Sequence, residues 1–323
     1  MDNLTHSLVG AVMGQAGLKR KTGLAMPALI IGANLPDVDV TCFLWLDSTQ
    51  HLGFRRGITH GPIALVLLPL VLAGILWWFD RWQARRGTRP AKRLPVHFGW
   101  LYGLAFLACL THPALDWLNV YGIRLLEPFS SRWFYGDILF IIDLWLWAIL
   151  VIGLWLSRRR EKRGGNWLRP ARVALAVGLA YIGINAGITG THEQLTDMNA
   201  VGETIASPVP LAFWKRELII PVENGRYSIV HGYAGPTAAR LATSSLGDPA
   251  LSYFCDPRSI AEASPDARAF LFWSRNPVFE RGPEGSVLLR DARFYDPRAR
   301  DRFSVTLPEG ACETNPAFAR PAR

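Results

Sequence analysis

The stretch PIALVLLPLVLAGILWWF, residues 62–79, contains no charged side chain and decides the class of fold. A transmembrane helix needs about 20 predominantly apolar residues to cross the hydrocarbon core of a bilayer, and this run approaches that length. Three later runs have a similar length and few or no ionisable side chains. They are Phe98–Leu115, Ile138–Leu156 and Val173–Thr189. The sequence therefore predicts four long transmembrane helices.

The composition of the 323-residue chain agrees with this prediction. Half of the residues are hydrophobic and 19% are charged, which excludes a disordered chain. Several of the 13 tryptophans lie near the ends of the apolar runs, as in the aromatic belt of a membrane protein. The alternative is a large helical core buried in a soluble protein.

Two shorter apolar segments, residues 4–18 and 24–31, precede the long runs and are predicted to form a helical hairpin. The sequence leaves open whether this hairpin enters the bilayer or packs against the four spans. Its basic tip at residues 19–21 resembles the basic loops at residues 81–93 and 158–169. The positive-inside rule places all three in the cytoplasm of a bacterium. The basic cytoplasmic loops then account for the net charge of +9, and no nucleic-acid partner is expected.

The composition changes after about residue 190, where Pro, Gly, Arg and Asp become frequent. Short apolar pieces separated by turn residues predict β-strands. The predicted strands are Glu217–Val222, Tyr227–His231, Ala269–Trp273, Val287–Phe294 and Phe303–Leu307. The predicted turns are Asn224-Gly225 and Pro283-Glu284-Gly285.

We therefore predict a mainly α membrane protein: a polytopic helical bundle followed by a small, mostly β domain outside the membrane. The membrane domain covers residues 1–190 and the extracytoplasmic domain residues 191–323. Cys255 and Cys312 both lie in the second domain and could pair in an oxidising compartment.

Histidines and aspartates, which are common metal ligands, lie at one end of the predicted helices, opposite the basic loops. Charged groups in a bilayer are costly and are normally kept for function. Histidine and aspartate gathered from several helices supply the nitrogen and oxygen ligands of a divalent cation. The candidate metal ligands are His6, Asp37, His60, His112, Asp116 and Asp143.

The sharpest local signal is the pair His112 and Asp116, whose i, i+4 spacing places both side chains on one helical face. Both could bind one ion, or Asp116 could orient the imidazole; a helix cap or an interfacial pair is the alternative. Asp37 and Asp39 could chelate as a pair, although aspartate is also common in turns and caps. Asp143 lies in an apolar run, so it must be paired, protonated or metal-bound.

Four of the seven histidines directly follow a threonine. They are His6, His60, His112 and His192. A threonine hydroxyl beside an imidazole could supply the hydrogen bond that fixes its tautomer. Coincidence in loops is the alternative.

Five short motifs occur in order along the first half of the chain. They are MDNLTHSL at 1–8, ANLPDVD at 33–39, RGITHG at 56–61, THPALD at 111–116 and FIID at 140–143. As a set they resemble the YdjM-type membrane-bound, metal-dependent hydrolases of bacteria. The resemblance covers residues 1 to about 190, and VLLRDARFY at 287–295 is similar to the tail of longer members.

The resemblance implies a hydrolase that binds a divalent metal, zinc or alternatively manganese or magnesium. The family is distantly similar to zinc-dependent phospholipase C and the S1/P1-type nucleases, which cleave phosphoesters with a metal cluster. The motif positions imply the same ligands: His6, Asp37, His60, His112 and Asp116, with Asp143 also at a motif position.

One position departs from the family pattern. Many members carry a histidine just before the Arg-Gly of the third motif, where this chain has Arg55. The site then has one ligand fewer, or Arg55 binds a substrate phosphate instead. The arginines expected to bind an anionic group of the substrate are Arg55, Arg56 and Arg132.

The leading hypothesis is a multi-pass hydrolase of the bacterial inner membrane with its site at the outer face. Its expected partners are the bilayer itself and a lipid or lipid-linked phosphoester. A metal-activated water would attack the phosphoester, and Asp37, Asp39 or Asp143 would act as general base. One alternative is an ion-binding or transport protein, because buried aspartates and histidines also build ion pathways. The other is a non-catalytic envelope factor that binds through its β-rich domain.

Overall fold

The computed structural model describes residues 1–46, 49–196, 202–222, 226–233, 243–246, 255–295, 301–307 and 312. Within this part the chain is mainly helical up to residue 196 and forms short β-strands after residue 204. Its internal contacts define two compact units. The first comprises Met1–Asp39, Arg56–Gly187 and Pro210–Phe213, and the second comprises Val40–Arg55, Ile188–Val209 and Trp214–Arg323. The domain boundary near residue 190 stays a prediction.

Helices occur in both units and make up most of the first. In chain order, the described helices are α1 (Asn3–Gln15), α2 (Ala25–Gly32), α3 (Gln50–Phe54), α4 (Pro62–Arg85), α5 (Phe98–Trp117), α6 (Leu144–Lys162), α7 (Leu168–Thr196), α8 (Pro257–Ala263) and α9 (Pro265–Trp273). Short 3₁₀-helices cover Leu18–Arg20, Leu35–Leu44, Ile58–His60, Pro283–Gly285 and Ala292–Phe294.

Three described helices, α4, α5 and α7, are long and apolar enough to cross a membrane. A fourth crossing is present if α2 and the 3₁₀-helix Leu35–Leu44, bent by 53° at the break between them, form one span. Helix α4 leaves large apolar side chains exposed, as expected for a helix that faces lipid. They are Ile63, Val66, Leu67, Leu70, Val71, Ile75 and Trp78.

The span predicted at Ile138–Leu156 is shorter in the structure. Helix α6 begins only at Leu144, because Asp143 acts as its N-cap. Charged side chains follow from Arg158, so the uncharged part of the helix is only about 20 Å long. The predicted set of four long spans plus an N-terminal hairpin is therefore not confirmed.

Small residues let the helices that carry candidate ligands approach each other closely. A Cβ atom on Gly10 of α1 would lie 2.5 Å from the carbonyl oxygen of Leu29 in α2. A Cβ atom on Gly32 of α2 would lie 2.9 Å from the carbonyl oxygen of Ala105 in α5. Such contacts are typical of helices packed in membranes. They fix α1 and α5 against α2.

The basic loops meet at one end of the first unit. Thr22 donates a hydrogen bond to the Pro95 carbonyl oxygen at 3.3 Å and accepts one from the His97 N–H at 2.9 Å. Lys19 is hydrogen bonded to Glu161 near the end of α6. The segment after α1, the segment between α4 and α5, and the end of α6 therefore lie together. The side of the membrane that they face stays a prediction.

The second unit contains two antiparallel sheets, ordered β1-β2-β3-β4 and β5-β6-β7. The strands are β1 (Ile205–Pro208), β2 (Arg216–Val222), β3 (Arg226–Tyr233), β4 (Thr243–Leu246), β5 (Pro277–Arg281), β6 (Val287–Asp291) and β7 (Ser304–Leu307). Ile205, Ile219 and Ile229 pack with Val278 in a shared core. Small β-sheets in the C-terminal region are thus confirmed.

A disulfide bond joins Cys255 to Cys312, whose Cα atoms lie 4.6 Å apart. The sequence left this pairing open. The bond closes a segment of the second unit that carries α8, α9 and the second sheet.

The strand predicted at Ala269–Trp273 is wrong, because this segment lies in α9. Ser264 caps the helix by accepting the Ala267 N–H at 3.3 Å, and Pro265 supplies its first residue. The buried residues of α9 then recur at helical rather than strand spacing. They are Ala267, Phe270 and Trp273.

The strand predicted at Val287–Phe294 ends at Asp291. The Asp291 carboxylate accepts the backbone N–H of Arg293 at 2.9 Å, and this bond starts a 3₁₀ turn. The turn predicted at Pro283–Gly285 is present. The turn predicted at Asn224-Gly225 lies outside the described residues.

The substitution Gly10→Ala should destabilise the full-length chain by about 1–3 kcal/mol, because the new methyl group would overlap a backbone oxygen of α2. Gly103→Ala in α5 is the matched control, since its Cβ atom would meet nothing within 4 Å. That variant should be neutral or stabilised by up to about 1 kcal/mol, because alanine favours helix. Thermal unfolding in detergent, followed by circular dichroism, measures both. Equal midpoints for the two variants would contradict the packing described.

Candidate metal centre

The structure brings five of the predicted ligands together in the first unit. They are His6 of α1, Asp37 of the 3₁₀-helix Leu35–Leu44, His60 at the end of Ile58–His60, and His112 and Asp116 of α5. The three imidazoles and Asp116 are fully buried. Two overlapping groups each have ligand atoms within 4.8 Å of one another: His6 with Asp37 and His112, and His60 with His112 and Asp116.

The Asp116 carboxylate lies at the centre of the cluster. Its Oδ1 is 3.4 Å from His6 Nε2 and accepts a hydrogen bond from the main-chain nitrogen of Met1. Its Oδ2 is 3.6 Å from His60 Nε2 and 3.5 Å from His112 Nε2. All three imidazoles therefore direct Nε2 toward the same carboxylate.

A backbone carbonyl determines which nitrogen His112 presents to the cluster. His112 Nδ1 lies 2.7 Å from the Ala33 carbonyl oxygen. A carbonyl only accepts, so Nδ1 carries a proton, and Nε2 is the nitrogen that faces the cluster. This Nε2 atom is 3.8 Å from Asp37 Oδ2. The chain following α2 thus both orients His112 and supplies a carboxylate facing it.

Asp39 and Thr59 orient His60 in the same way. The Thr59 hydroxyl donates to Asp39 Oδ2 at 3.3 Å and lies 3.0 Å from His60 Nδ1. It therefore accepts the Nδ1 proton, and His60 Nε2 keeps its lone pair. Among the Thr-His pairs of the sequence, Thr59-His60 behaves as the tautomer hypothesis requires. The hydroxyls of Thr5 and Thr111 instead donate to Asp2 and to a backbone carbonyl of α5.

Five buried ligand-type atoms in the cluster have no hydrogen-bond partner among the described residues. They are both ring nitrogens of His6, His60 Nε2, His112 Nε2 and Asp116 Oδ2. Buried polar atoms are nearly always paired, because leaving one unpaired costs about 1–3 kcal/mol. Such a concentration of unpartnered lone pairs fits a set of ligands arranged around a cation.

Burial also keeps His6 and His60 in the form that binds metal. Loss of solvent lowers the pKa of His6 to about 4, although the nearby Asp116 carboxylate acts in the opposite direction. Loss of solvent likewise lowers the pKa of His60. Both side chains are therefore neutral at pH 7, and neutral imidazole is the metal-ligating state.

Arg56 is an internal counter-charge for the carboxylates. Its backbone has φ of 55°, in the left-handed region that residues other than glycine rarely adopt. This conformation lets its N–H donate to Asp39 Oδ2 at 2.7 Å. Its Nε is 3.2 Å from Asp116 Oδ2, and its Nη1 donates to Asn119 Oδ1 at 3.1 Å and the Gly122 carbonyl at 3.2 Å. These contacts engage Arg56 within the protein, and its substrate-binding role stays a prediction.

Asn119 and Tyr121 complete the support of Arg56, and the sequence did not point to either of them. Asn119 Oδ1 accepts the Tyr121 N–H at 2.9 Å as well as the guanidinium. The Tyr121 ring centre lies 4.4 Å from the guanidinium carbon. The one available signal was a polar residue three positions after Asp116, where an apolar helix ends.

Three other predicted site residues are not among the potential ligand atoms of the described cluster. Asp143 Oδ1 accepts the Leu146 N–H at 2.8 Å and its Oδ2 accepts the Tyr181 hydroxyl at 2.9 Å. In the described part of the chain, Asp143 joins neither group of potential ligand atoms. Arg132 is exposed. Arg55 belongs to the second unit.

Comparison with known proteins identifies similar sequences. A family model described as YdjM inner membrane protein matches residues 1–189, more than half of the chain. The uncharacterized protein YfhP of Bacillus subtilis (strain 168) is 28% identical over 141 residues, which cover 41% of this chain and 39% of YfhP. The chain thus spans about two fifths of the length of that relative. No solved structure matches the chain.

The substitution Arg56→Met should destabilise the full-length chain by about 3–5 kcal/mol, because it leaves the buried Asp116 carboxylate without its guanidinium partner. Arg132→Met is the matched control and should change stability by less than about 0.5 kcal/mol, since this side chain is exposed. Thermal unfolding of both variants in the same detergent tests the difference. If Arg56→Met melts at the same temperature as Arg132→Met, Arg56 is not the counter-charge that the contacts indicate.

Proposed function

This chain belongs to the YdjM inner membrane protein family, and from that premise we propose that it is a membrane-bound, metal-dependent hydrolase. Its substrate is a phosphoester, either a lipid or a lipid-linked molecule. Its metal is a divalent ion, with zinc preferred over manganese or magnesium. The site faces the outer side of the inner membrane, and the basic loops face the cytoplasm.

The observation that carries this proposal is the set of four buried ring nitrogens in the cluster around Asp116 that have no hydrogen-bond partner among the described residues. Three imidazoles with one or two carboxylates are the nitrogen and oxygen donors that zinc and similar metals prefer. The residues that would hold the metal are His6, Asp37, His60, His112 and Asp116. A bound metal would supply an acidified water and polarise the phosphoryl oxygen.

The protein residues around the ligands have separate tasks. Ala33 and Thr59 hold protons on the outer nitrogens of His112 and His60, so that their inner nitrogens stay available. Asp39 binds both Thr59 and the Arg56 backbone, and so acts as a positioning residue. Asp37 belongs to one of the two groups of potential ligand atoms and Asp39 to neither, which favours Asp37 for direct contact with the metal.

A lipid substrate is favoured by exposed apolar side chains on the segments that carry the ligands. Each of four such segments exposes a large apolar side chain within two residues of a ligand. These are Leu4 (47% exposed), Val38 (46%), Ile58 (62%) and Trp117 (41%). Exposed apolar side chains of this kind are typical of surfaces that meet lipid or apolar ligands. A headgroup phosphoester could approach the carboxylates while its acyl chains stay in the bilayer.

Metal analysis of purified protein tests the first part of the proposal. The full-length chain, purified in detergent without chelator, should contain at least about one transition-metal ion per molecule. His112→Ala should lose it, because His112 belongs to both groups of ligand atoms. His97→Ala is the control, since His97 is exposed near the basic loops, and it should retain the metal. Folded wild-type protein without metal, measured by mass spectrometry, would favour the non-catalytic envelope factor.

Hydrolysis of phosphoesters tests the second part. Wild-type protein in mixed micelles should release product from a fluorescent phospholipid, and Asp37→Asn should reduce the rate by about 100-fold or more. His97→Ala should remain as active as wild type. Metal-loaded wild-type protein that leaves phospholipid and bis(p-nitrophenyl) phosphate intact would contradict the hydrolase and favour ion binding or transport.

A further inference from the structure

The last two turns of α6 present a basic face that has no role in the candidate metal centre. Its residues recur at i, i+3, i+4, i+7 and i+8, which places them on one side of the helix or its immediate end. They are Trp155, Arg158, Arg159, Lys162 and Arg163, and they line a surface groove of about 390 Å³. This groove lies at the end of α6 opposite its Asp143 cap.

The positive charge of this groove is not neutralised within the protein. Among the described residues, no carboxylate forms an ion pair with Arg158, Arg159, Lys162 or Arg163. The acidic residue of the same turn, Glu161, is instead bound to Lys19 and Gln15. Four adjacent cations therefore remain available to a partner of negative charge.

An exposed apolar stretch of α6 directly precedes these cations. Its exposed large apolar side chains are Val151, Ile152, Trp155 and Leu156. A surface that changes from apolar to basic in this way suits the membrane interface, where long basic side chains reach the phosphate layer. Trp155 is 55% exposed and its ring lies 5.2 Å from the Arg159 guanidinium. Tryptophan prefers this same interfacial layer.

Neighbouring segments repeat the pairing of a cation with tryptophan at this end of the first unit. Lys19 lies over the Trp167 ring at 4.3 Å, and Lys21 lies over the Trp100 ring at 4.8 Å. These pairs mark the depth at which an apolar surface gives way to a basic one. The α6 groove has the same pairing of tryptophan with a cation, and its four cations have no ion pair among the described residues.

We propose that the α6 groove binds the phosphate headgroup of an anionic phospholipid. The arginine and lysine side chains contact the phosphate, and the exposed Trp155 ring packs against the glycerol and upper acyl chain. This inference does not depend on the hydrolase, because it concerns the opposite end of the helices.

Native mass spectrometry of the full-length chain, released from detergent with added phosphatidylglycerol, tests the proposal. Wild-type protein should retain the lipid, and the triple variant Arg158→Gln/Arg159→Gln/Lys162→Gln should bind it at least about tenfold more weakly. Each basic residue near a membrane contributes about fivefold to the binding of anionic lipid, so three give a measurable loss. The charge-preserving variant Arg158→Lys/Arg159→Lys should bind nearly as wild type. All of these side chains are exposed, so the variants should fold normally.

Two controls make the result specific. Arg81→Gln/Arg85→Gln/Arg86→Gln removes the same charge from exposed positions at the end of α4 and should weaken binding by less than about threefold. Phosphatidylcholine should be retained much less than phosphatidylglycerol, and free phosphate at millimolar concentration should not displace the lipid. Equal losses in the α4 and α6 variants, or equal retention of the two lipids, would overturn the proposal.

Discussion

The candidate metal centre of the first unit is organised around the buried carboxylate of Asp116. A carboxylate without solvent is tolerated only when it is paired, and removing its partners costs several kcal/mol. The partners come from separate parts of the chain: α1 supplies His6, the segment before α4 supplies Arg56 and His60, and α5 supplies His112. The packing of these segments and the electrostatics of the site therefore depend on each other.

Small residues let the helices approach closely enough for these side chains to reach Asp116. Gly10 and Gly32 bring α1, α2 and α5 to van der Waals distance, so that side chains as short as aspartate reach the same point. A similar approach occurs at Gly61, where a Cβ atom would lie 1.9 Å from the Glu127 carbonyl oxygen. Because Gly61 directly follows His60, this contact fixes the imidazole beside the loop after α5. Bulkier residues at these positions would separate the ligands by more than a metal ion can span.

Much of this arrangement could be predicted from the sequence. The long apolar runs indicated the helices, and the separation of basic loops from aspartates and histidines indicated that His6, Asp37, His60, His112 and Asp116 would meet. For Asp143 the sequence left pairing, protonation and metal binding open, and in the structure a backbone N–H and a tyrosine hydroxyl pair with this carboxylate. Apolar content alone cannot distinguish a capped helix of 19 residues from a longer span.

Other features depend on three-dimensional contacts that no local pattern carries. The backbone carbonyl of Ala33 fixes the tautomer of His112, yet any residue at that position supplies a carbonyl. Arg56 looks like a substrate-binding residue in the sequence, but its left-handed backbone turns its N–H toward Asp39 and its side chain toward Asp116. The Arg56 guanidinium contacts Asp116, while the ring nitrogens of His6, His60 and His112 that face this carboxylate have no hydrogen-bond partner among the described residues. The proposed metal site rests on these buried ring nitrogens, because histidine nitrogens and carboxylate oxygens are the donors that divalent metals prefer.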